Sequence, residues 1–425
     1  MIKILSDLTP LNRVFCSADL DKTIMYLQKI LPFRVLEYPC DEEYNGWVIP
    51  PKWDVKEALI LRDGNTIYDG KRHALCVAAL SKSFSGKIDF EELKKHLHYD
   101  SRFEDAIPFH FRGLYRSWER DWGFCVPKTF YDSLTPGEYE VRIETEESKG
   151  VLKVLEYTHQ GRLDETIVFG GNFDHPGVAN DGLAGCVVGI EMMRRLENRK
   201  TKFSYKLVLV PGIIGSEYYL GKMNDESRRK LLEGVFLEML GSKTPLALQE
   251  SREARSNIEK FLDIAIRNLG IDYRKGPFKS IILNDEYIWE NYDIPMCSLS
   301  RFPYPEYHCD RDSMSIISHS SLDQAVAVLS RAIEALELTS VVIRKFRGNI
   351  CLSNPKYDLY VDPGQIAFGD IPNDLRKRMR DLMDLIPAIK RPVTTAGLAD
   401  LVGLEEAVVT EYLKRWNEKD LLRID

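Results

Sequence analysis

The chain has 425 residues, 44% of them hydrophobic and 29% charged, with 58 basic against 65 acidic side chains and a net charge of −7. This length exceeds a single compact core and predicts two or three domains. The mildly acidic balance gives no general reason to expect nucleic acid or an anionic membrane surface as a partner, and no uninterrupted apolar run approaches the roughly 18 residues of a membrane span.

The opening segment reads as helix, with Leu20, Ile24, Leu27 and Leu31 on one face and Pro32 ending it. From Glu42 to Phe109 the character changes. Short β-type runs alternate with turn signals at Pro50-Pro51, Asp63-Gly64 and Asp69-Gly70, and FEELKKHLH follows as a helical stretch. This predicts a small inserted α+β domain over 42–109. YEVRIETEE and GVLKVLEYTHQG then read as an antiparallel pair turning near Ser148-Lys149-Gly150.

Beyond it, apolar strands alternate with amphipathic helices: ETIVFGGNF with LAGCVVGIEMMRRLE, YKLVLVPG with SEYYLGK, GVFLEML with ARSNIEKFLDIAIRNL, and IPMCSLSR with LDQAVAVLSRAIEALEL. The alternation predicts an α/β domain, spanning 1–41 and 110–346, in which a mixed, mostly parallel sheet is sandwiched by helices. From Arg347 to Asp425 a helical stripe (Leu375, Met379, Leu382, Met383, Ile386) precedes helix, glycine turn, helix and a terminal LLRI strand, with Val408, Val409, Tyr412, Leu413 and Trp416 facing inward. These elements predict a winged-helix domain over 347–425. It holds 12 Lys/Arg against 13 Asp/Glu, and its second helix begins with Glu405 and Glu406, so no nucleic-acid partner is expected. Packing against the larger domain or against a second copy is expected instead, which leaves a homo-oligomer open. The eight cysteines are scattered without a CxxC pair, and MIKILSDLTPLNRVF carries polar and acidic residues too early for a signal peptide. Both point to a reducing, cytoplasmic location with no membrane partner.

Four loops follow predicted strands and carry ionisable groups. GNFDHPGVANDG contains Asp174, His175 and Asp181; PGIIGSEYYL contains Glu217; LEMLG contains Glu238; YPEYHCDRD contains Glu306, His308, Asp310 and Asp312. Loops at the C-terminal ends of parallel strands converge, and histidine nitrogens with carboxylate oxygens are the donors zinc takes. Other readings exist for each. DHPG fits a polar turn, Asp181 fits a helix N-cap, and Glu217 suits the positive end of a helix whatever the function. A carboxylate at Glu238, between apolar neighbours at a strand end, needs a partner.

The order HPGVANDGLAG, GIIGSEYYL, LEMLG and PEYHCDRDSMSII, together with SFSGKIDFEELKKHLH, RDWGFCVP and GEYEVRI, resembles the co-catalytic di-zinc exopeptidases. It is especially similar to a bacterial aminopeptidase-like subfamily that ends in a winged helix and occurs among polysaccharide-biosynthesis proteins. The resemblance implies metal ligation by His175, Asp181, Glu238 and His308, with Asp181 in the bridging position. It departs at Asn172, where the subfamily has a histidine, and at Gly212, where it has a glutamate, so one zinc per chain is expected rather than two. Two functions follow. The first is a zinc-dependent hydrolase of a peptide or amide bond in a small substrate. Glu217 or Glu306 would serve there as the proton acceptor, and Asp174, Asp310 and Asp312 would orient the ligands. The second is a catalytically degenerate relative in which the cleft binds and the appended domains assemble.

Overall fold

The computed structural model describes residues 1–40, 42–254, 256–362, 374–389 and 392–425. Part of the expected C-terminal domain, 363–373 and 390–391, lies outside the described residues.

The main sheet has eight strands: β1 (Arg34–Pro39), β2 (Val151–His159), β3 (Thr166–Asn172), β4 (Ser204–Val210), β5 (Leu231–Leu237), β6 (Leu246–Gln249), β7 (Tyr273–Gly276) and β8 (Met296–Ser300). Their spatial order is β1-β2-β4-β3-β5-β8-β6-β7. The centre, β4-β3-β5-β8, is parallel, β1 pairs antiparallel with β2, β2 with β4 and β6 with β8, and β7 runs parallel to β6.

Helices cover both faces because the central strands are apolar on both. On β3, Ile167 and Phe169 join one core cluster and Val168 the other. On β4, Leu207 and Leu209 part from Val208 and Val210 in the same way. This is the two-residue period of a strand buried on both sides. The first cluster is closed by α1 (Ile2–Leu8), α2 (Ala18–Gln28), α3 (Gly185–Leu196), α5 (Asn257–Asn268) and α7 (His319–Leu338). The second is closed by α4 (Ile214–Gly221), α6 (Glu286–Asn291) and the inserted sheet. The predicted stripe on α2 is buried at Leu20, Ile24 and Leu27, and the Ser17 hydroxyl accepts from the Leu20 amide at its N-terminus.

The predicted hairpin at 138–159 is not formed. Glu138–Ser148 pairs with Lys52–Arg62 and Phe84–Asp89 in a four-stranded sheet completed by Asn65–Asp69, whereas β2 pairs with β1 and β4. The residues between them cross from one sheet to the other. Alternation assigns Tyr139, Val141 and Ile143 to a buried face, as observed, but a face does not name its partner strand. The inserted sheet therefore takes a strand from beyond 42–109. Likewise Val341–Arg344, expected within the larger domain, pairs with Val393–Thr394 and Leu422–Ile424.

Among the described residues, three α-helices accompany that small sheet: α8 (Asp374–Leu385), α9 (Thr395–Val402) and α10 (Glu406–Glu418). Val409, Tyr412, Leu413 and Trp416 are buried there, but Val408 is exposed, one residue off the inward face of α10. Leu375 is exposed too, at the first turn of α8. The Thr394 hydroxyl donates to Asn257 Oδ1 at 2.7 Å, tying this unit to α5. Among the described residues no helix is long and apolar enough to cross a membrane.

Candidate metal centre

The chain leaves β3 at Asn172 and turns through 173–182 before α3 begins. Gly182 has φ +81°, and a Cβ there would lie 2.5 Å from the Asn172 carbonyl oxygen, so only glycine fits. The Asp312 carboxylate shapes this loop. It accepts from the backbone amides of Ala179 (3.2 Å), Asn180 (2.6 Å) and Asp181 (2.9 Å) and from the Tyr304 hydroxyl (2.6 Å). Asp312 is fully buried, and burial lifts its carboxyl to about 6.

Asp312 thus supplies the amide-capping role, and Asp181 does not. No side-chain cap bond forms at the start of this helical segment, and Asp181 Oδ2 is buried without a hydrogen-bond partner. The Asp181 carboxylate instead faces two imidazoles. His308 Nε2 lies 3.1 Å and His175 Nε2 3.6 Å from Oδ2. The shorter approach lacks hydrogen-bond geometry, since His308 Nε2 is also unpartnered. His175, Asp181 and His308 each offer a ligand atom, all within 4.8 Å of one another. Two donors on a tetrahedral ion with bonds of about 2.0–2.1 Å sit roughly 3.3 Å apart, and the observed separations bracket that value. Unpaired buried polar atoms are costly, and Asp181 Oδ2 and His308 Nε2 are both left unpaired, so a set at this spacing fits a divalent cation.

Electrostatics agree. Burial opposes ionisation of Asp181, but the two histidines hold its carboxyl below the usual range. Burial likewise opposes protonation of His175, and Asp181 with Asp174 outweighs it. Asp174, buried beside His175, is raised to about 6 by desolvation, and its Oδ1 accepts from the Gly212 amide at 3.0 Å.

His308 comes from the loop after β8 and adopts φ +60°. Tyr307 stacks on its ring at 3.8 Å, and Phe109 and Phe111 meet it edge-on at 5.5 and 5.1 Å. The Phe109 amide donates to the His308 carbonyl at 2.8 Å. Asp310, expected to orient His308, instead accepts from the Ile107 amide at 2.9 Å and pins the same segment. These residues roof a cavity of about 150 Å³, with Asp174, His175, Asp181, Glu238 and His308 on its polar side.

Glu238 is buried there. Its Oε2 accepts from Asn284 Nδ2 at 3.0 Å and its Oε1 has no partner. Burial first, then Glu286, raises its carboxyl well above the ordinary range. It lies outside the three-residue set in mutual reach. The two predicted proton acceptors are elsewhere. Glu217 accepts from Asn45 Nδ2 and the Tyr292 hydroxyl, each at 2.9 Å, and neither it nor Glu306 lines the cavity.

At the two departures from the resemblance a different arrangement appears. Asn172 donates from Nδ2 to Asp285 Oδ2 at 3.0 Å and accepts at Oδ1 from Asn284 at 2.8 Å. A Cβ on Gly212 would stand 2.6 Å from Asn172 Nδ2 and 3.1 Å from Asp285 Oδ2. Space for a side chain at 212 is already filled. Gly212→Ala is accordingly expected to lose about 1–3 kcal/mol in urea unfolding by overpacking; an unchanged midpoint would contradict this packing. Asn284, Asp285 and the roofing aromatics were not singled out from sequence. The one signal was NDEYIWEN, where Asp285 and Glu286 directly precede the apolar Tyr287, Ile288 and Trp289 at the start of a short helix.

The family described as "Domain of unknown function (DUF4910)" matches residues 2–339. The chain belongs to the DUF4910 family. The DUF4910 region thus stops just before Val341–Arg344, the strand that opens the C-terminal sheet. A Clostridium acetobutylicum protein, named for polysaccharide biosynthesis and an aminopeptidase-like domain, is 24% identical over 338 residues, 79% of this chain and 77% of that one. The crystal structure of a candidate peptidase from Clostridium acetobutylicum superposes with a TM-score of 0.76 at 21% identity, covering 100% of this chain and 96% of that one. The zinc aminopeptidase of Bacillus subtilis superposes with a TM-score of 0.58 at 15% identity, covering 79% and 94%. This chain therefore has the aminopeptidase-like α/β fold.

Proposed function

We propose that the chain is a hydrolase of a peptide or amide bond in a small substrate, dependent on one zinc ion held by His175, Asp181 and His308. The observation that carries this reading is the mutual reach of one ligand atom on each of those three residues, with Asp181 Oδ2 and His308 Nε2 buried and unpartnered. An ion bound there would polarise the substrate carbonyl and acidify a water molecule. Glu238 is the group best suited to take the proton from that water, because its Oε1 is unpartnered at the cavity wall while Asn284 orients the other oxygen. A dication close by would oppose the burial that raises this carboxyl. Phe109, Phe111 and Tyr307 would exclude bulk water, which strengthens every charge interaction inside. The small cavity favours the end of a peptide or a short acylated amine over an extended chain. The name of the Clostridium relative supports a substrate among the amide-bearing intermediates of polysaccharide biosynthesis.

A binding protein without catalysis is the second reading, favoured by the hydrogen-bonded Asn172–Asp285 pair at the position where the resembled subfamily has a histidine. Elemental analysis of protein purified without chelator separates the two. One zinc per chain is expected; none would support the second reading, and two would overturn the single-ion assignment.

A further inference from the structure

Arg13 lies just beyond α1, far in sequence from every loop of the metal centre, and its side chain is completely buried. A buried guanidinium usually faces a carboxylate, yet among the described residues this one bonds only to carbonyl oxygens. Nη1 donates to Leu8 and, at 3.3 Å, to Thr9; Nη2 donates to His175 and, at 2.9 Å, to Val178; Nε donates to Phe173 at 3.2 Å. Leu8 and Thr9 end α1, where carbonyls are left over and a cation is favoured. Phe173, His175 and Val178 span the loop that presents the His175 imidazole. The Gly177 amide adds a bond to the Leu11 carbonyl at 3.1 Å. The loop is therefore moulded from outside by residues 8–13. The Asp174 carboxylate turns away, to the Gly212 amide.

The charge matters as well. Asp174, Asp181 and Asp312 are all buried around this loop, and the Arg13 cation acts on them without touching them. It offsets negative charge that would otherwise accumulate there before any ion binds.

We propose that Arg13 is a positioning residue for the metal centre: its guanidinium fixes the 173–178 loop against α1 and so sets the place of the His175 imidazole. The proposal rests on the reading of His175 as a ligand. A planar fork of five donors can span two chain segments, and a lysine ammonium, with three donors at one point, cannot.

The test is a Co²⁺ titration of the full-length chain, following visible absorption and chelator competition. Arg13→Lys is expected to weaken Co²⁺ binding 10- to 100-fold, the range for residues that orient metal ligands, and to alter the absorption bands. Leu5→Ala, a core truncation on α1, serves as the control; it should lower the melting temperature and leave affinity and spectrum unchanged. Wild-type affinity and spectrum in Arg13→Lys would overturn the proposal, as would an equal loss of affinity in Leu5→Ala. Arg13→Gln is measured beside it, and failure of both Arg13 variants to fold would assign the residue to the fold alone. His175→Ala in the same titration distinguishes the underlying reading. If it binds Co²⁺ like the native chain, His175 is not a ligand and both claims fall; if it loses binding while Arg13→Lys does not, only the Arg13 claim falls.

Discussion

Asp181→Ala and His308→Ala should each abolish retention of the metal through gel filtration while leaving the circular-dichroism spectrum native. The expectation follows from how the loop is held. Its backbone amides are satisfied by Asp312, not by Asp181, so truncating Asp181 removes no cap and leaves no amide unpaired. What disappears is the single carboxylate lying between two imidazoles, at 3.1 and 3.6 Å, and with it the anionic donor of the set. A helix N-cap role would predict the opposite pattern, a stability loss of about 1 kcal/mol with metal content unchanged. His308→Ala also removes the ring against which Tyr307, Phe109 and Phe111 pack, so some loss of melting temperature is expected with the loss of metal. Wild-type metal content in both variants would sink the site.

The second large effect is expected at Glu238. Glu238→Gln keeps the volume and retains an oxygen to accept from Asn284, so the fold and the bound ion should persist. The ability to accept a proton goes. Losing a positioned general base lowers turnover by about 10²- to 10⁴-fold, read on whichever of a panel of aminoacyl p-nitroanilides the native chain cleaves. Glu217→Gln and Glu306→Gln are the comparators. Glu217 is buried outside the cavity and engaged by Asn45 and Tyr292, and its substitution should change turnover less than about threefold, roughly 0.6 kcal/mol of barrier. A drop at Glu217 or Glu306 matching that at Glu238 would reverse the assignment.

Much of this arrangement is legible in the linear chain. The doubly apolar runs of β3 and β4 declare a sheet covered on both faces, because each residue of a buried strand must meet a core. The glycine after Asp181 marks a backbone turn that no side chain could occupy. Residue types at strand ends, two histidines among carboxylates, name the chemistry of a metal before any distance is known. The C-terminal helix pair is likewise visible in its apolar period and in Gly403, which closes α9 with φ +65°.

What the linear chain leaves open is which segments meet. Alternation assigns Tyr139, Val141 and Ile143 to a buried face, but that face serves equally for a hairpin with β2 or for the separate sheet it joins. Glu217 lies beside the GIIGS turn in sequence and yet points to Asn45 and Tyr292, since α4 carries its side chain away from the strand end. Asp312 was read as a partner for the nearby His308, and instead satisfies amides more than 130 residues away. Arg13 reaches His175 over 162 residues, and Asn284 joins Asn172 over 112. Local propensity and periodicity act over a few residues, so the sequence by itself determined the strands, the helices and the kinds of ligand. Which carboxylate lies beside which imidazole is decided by burial. A buried charge or amide must find its partner wherever the packed chain brings one, and only the tertiary structure says where that is.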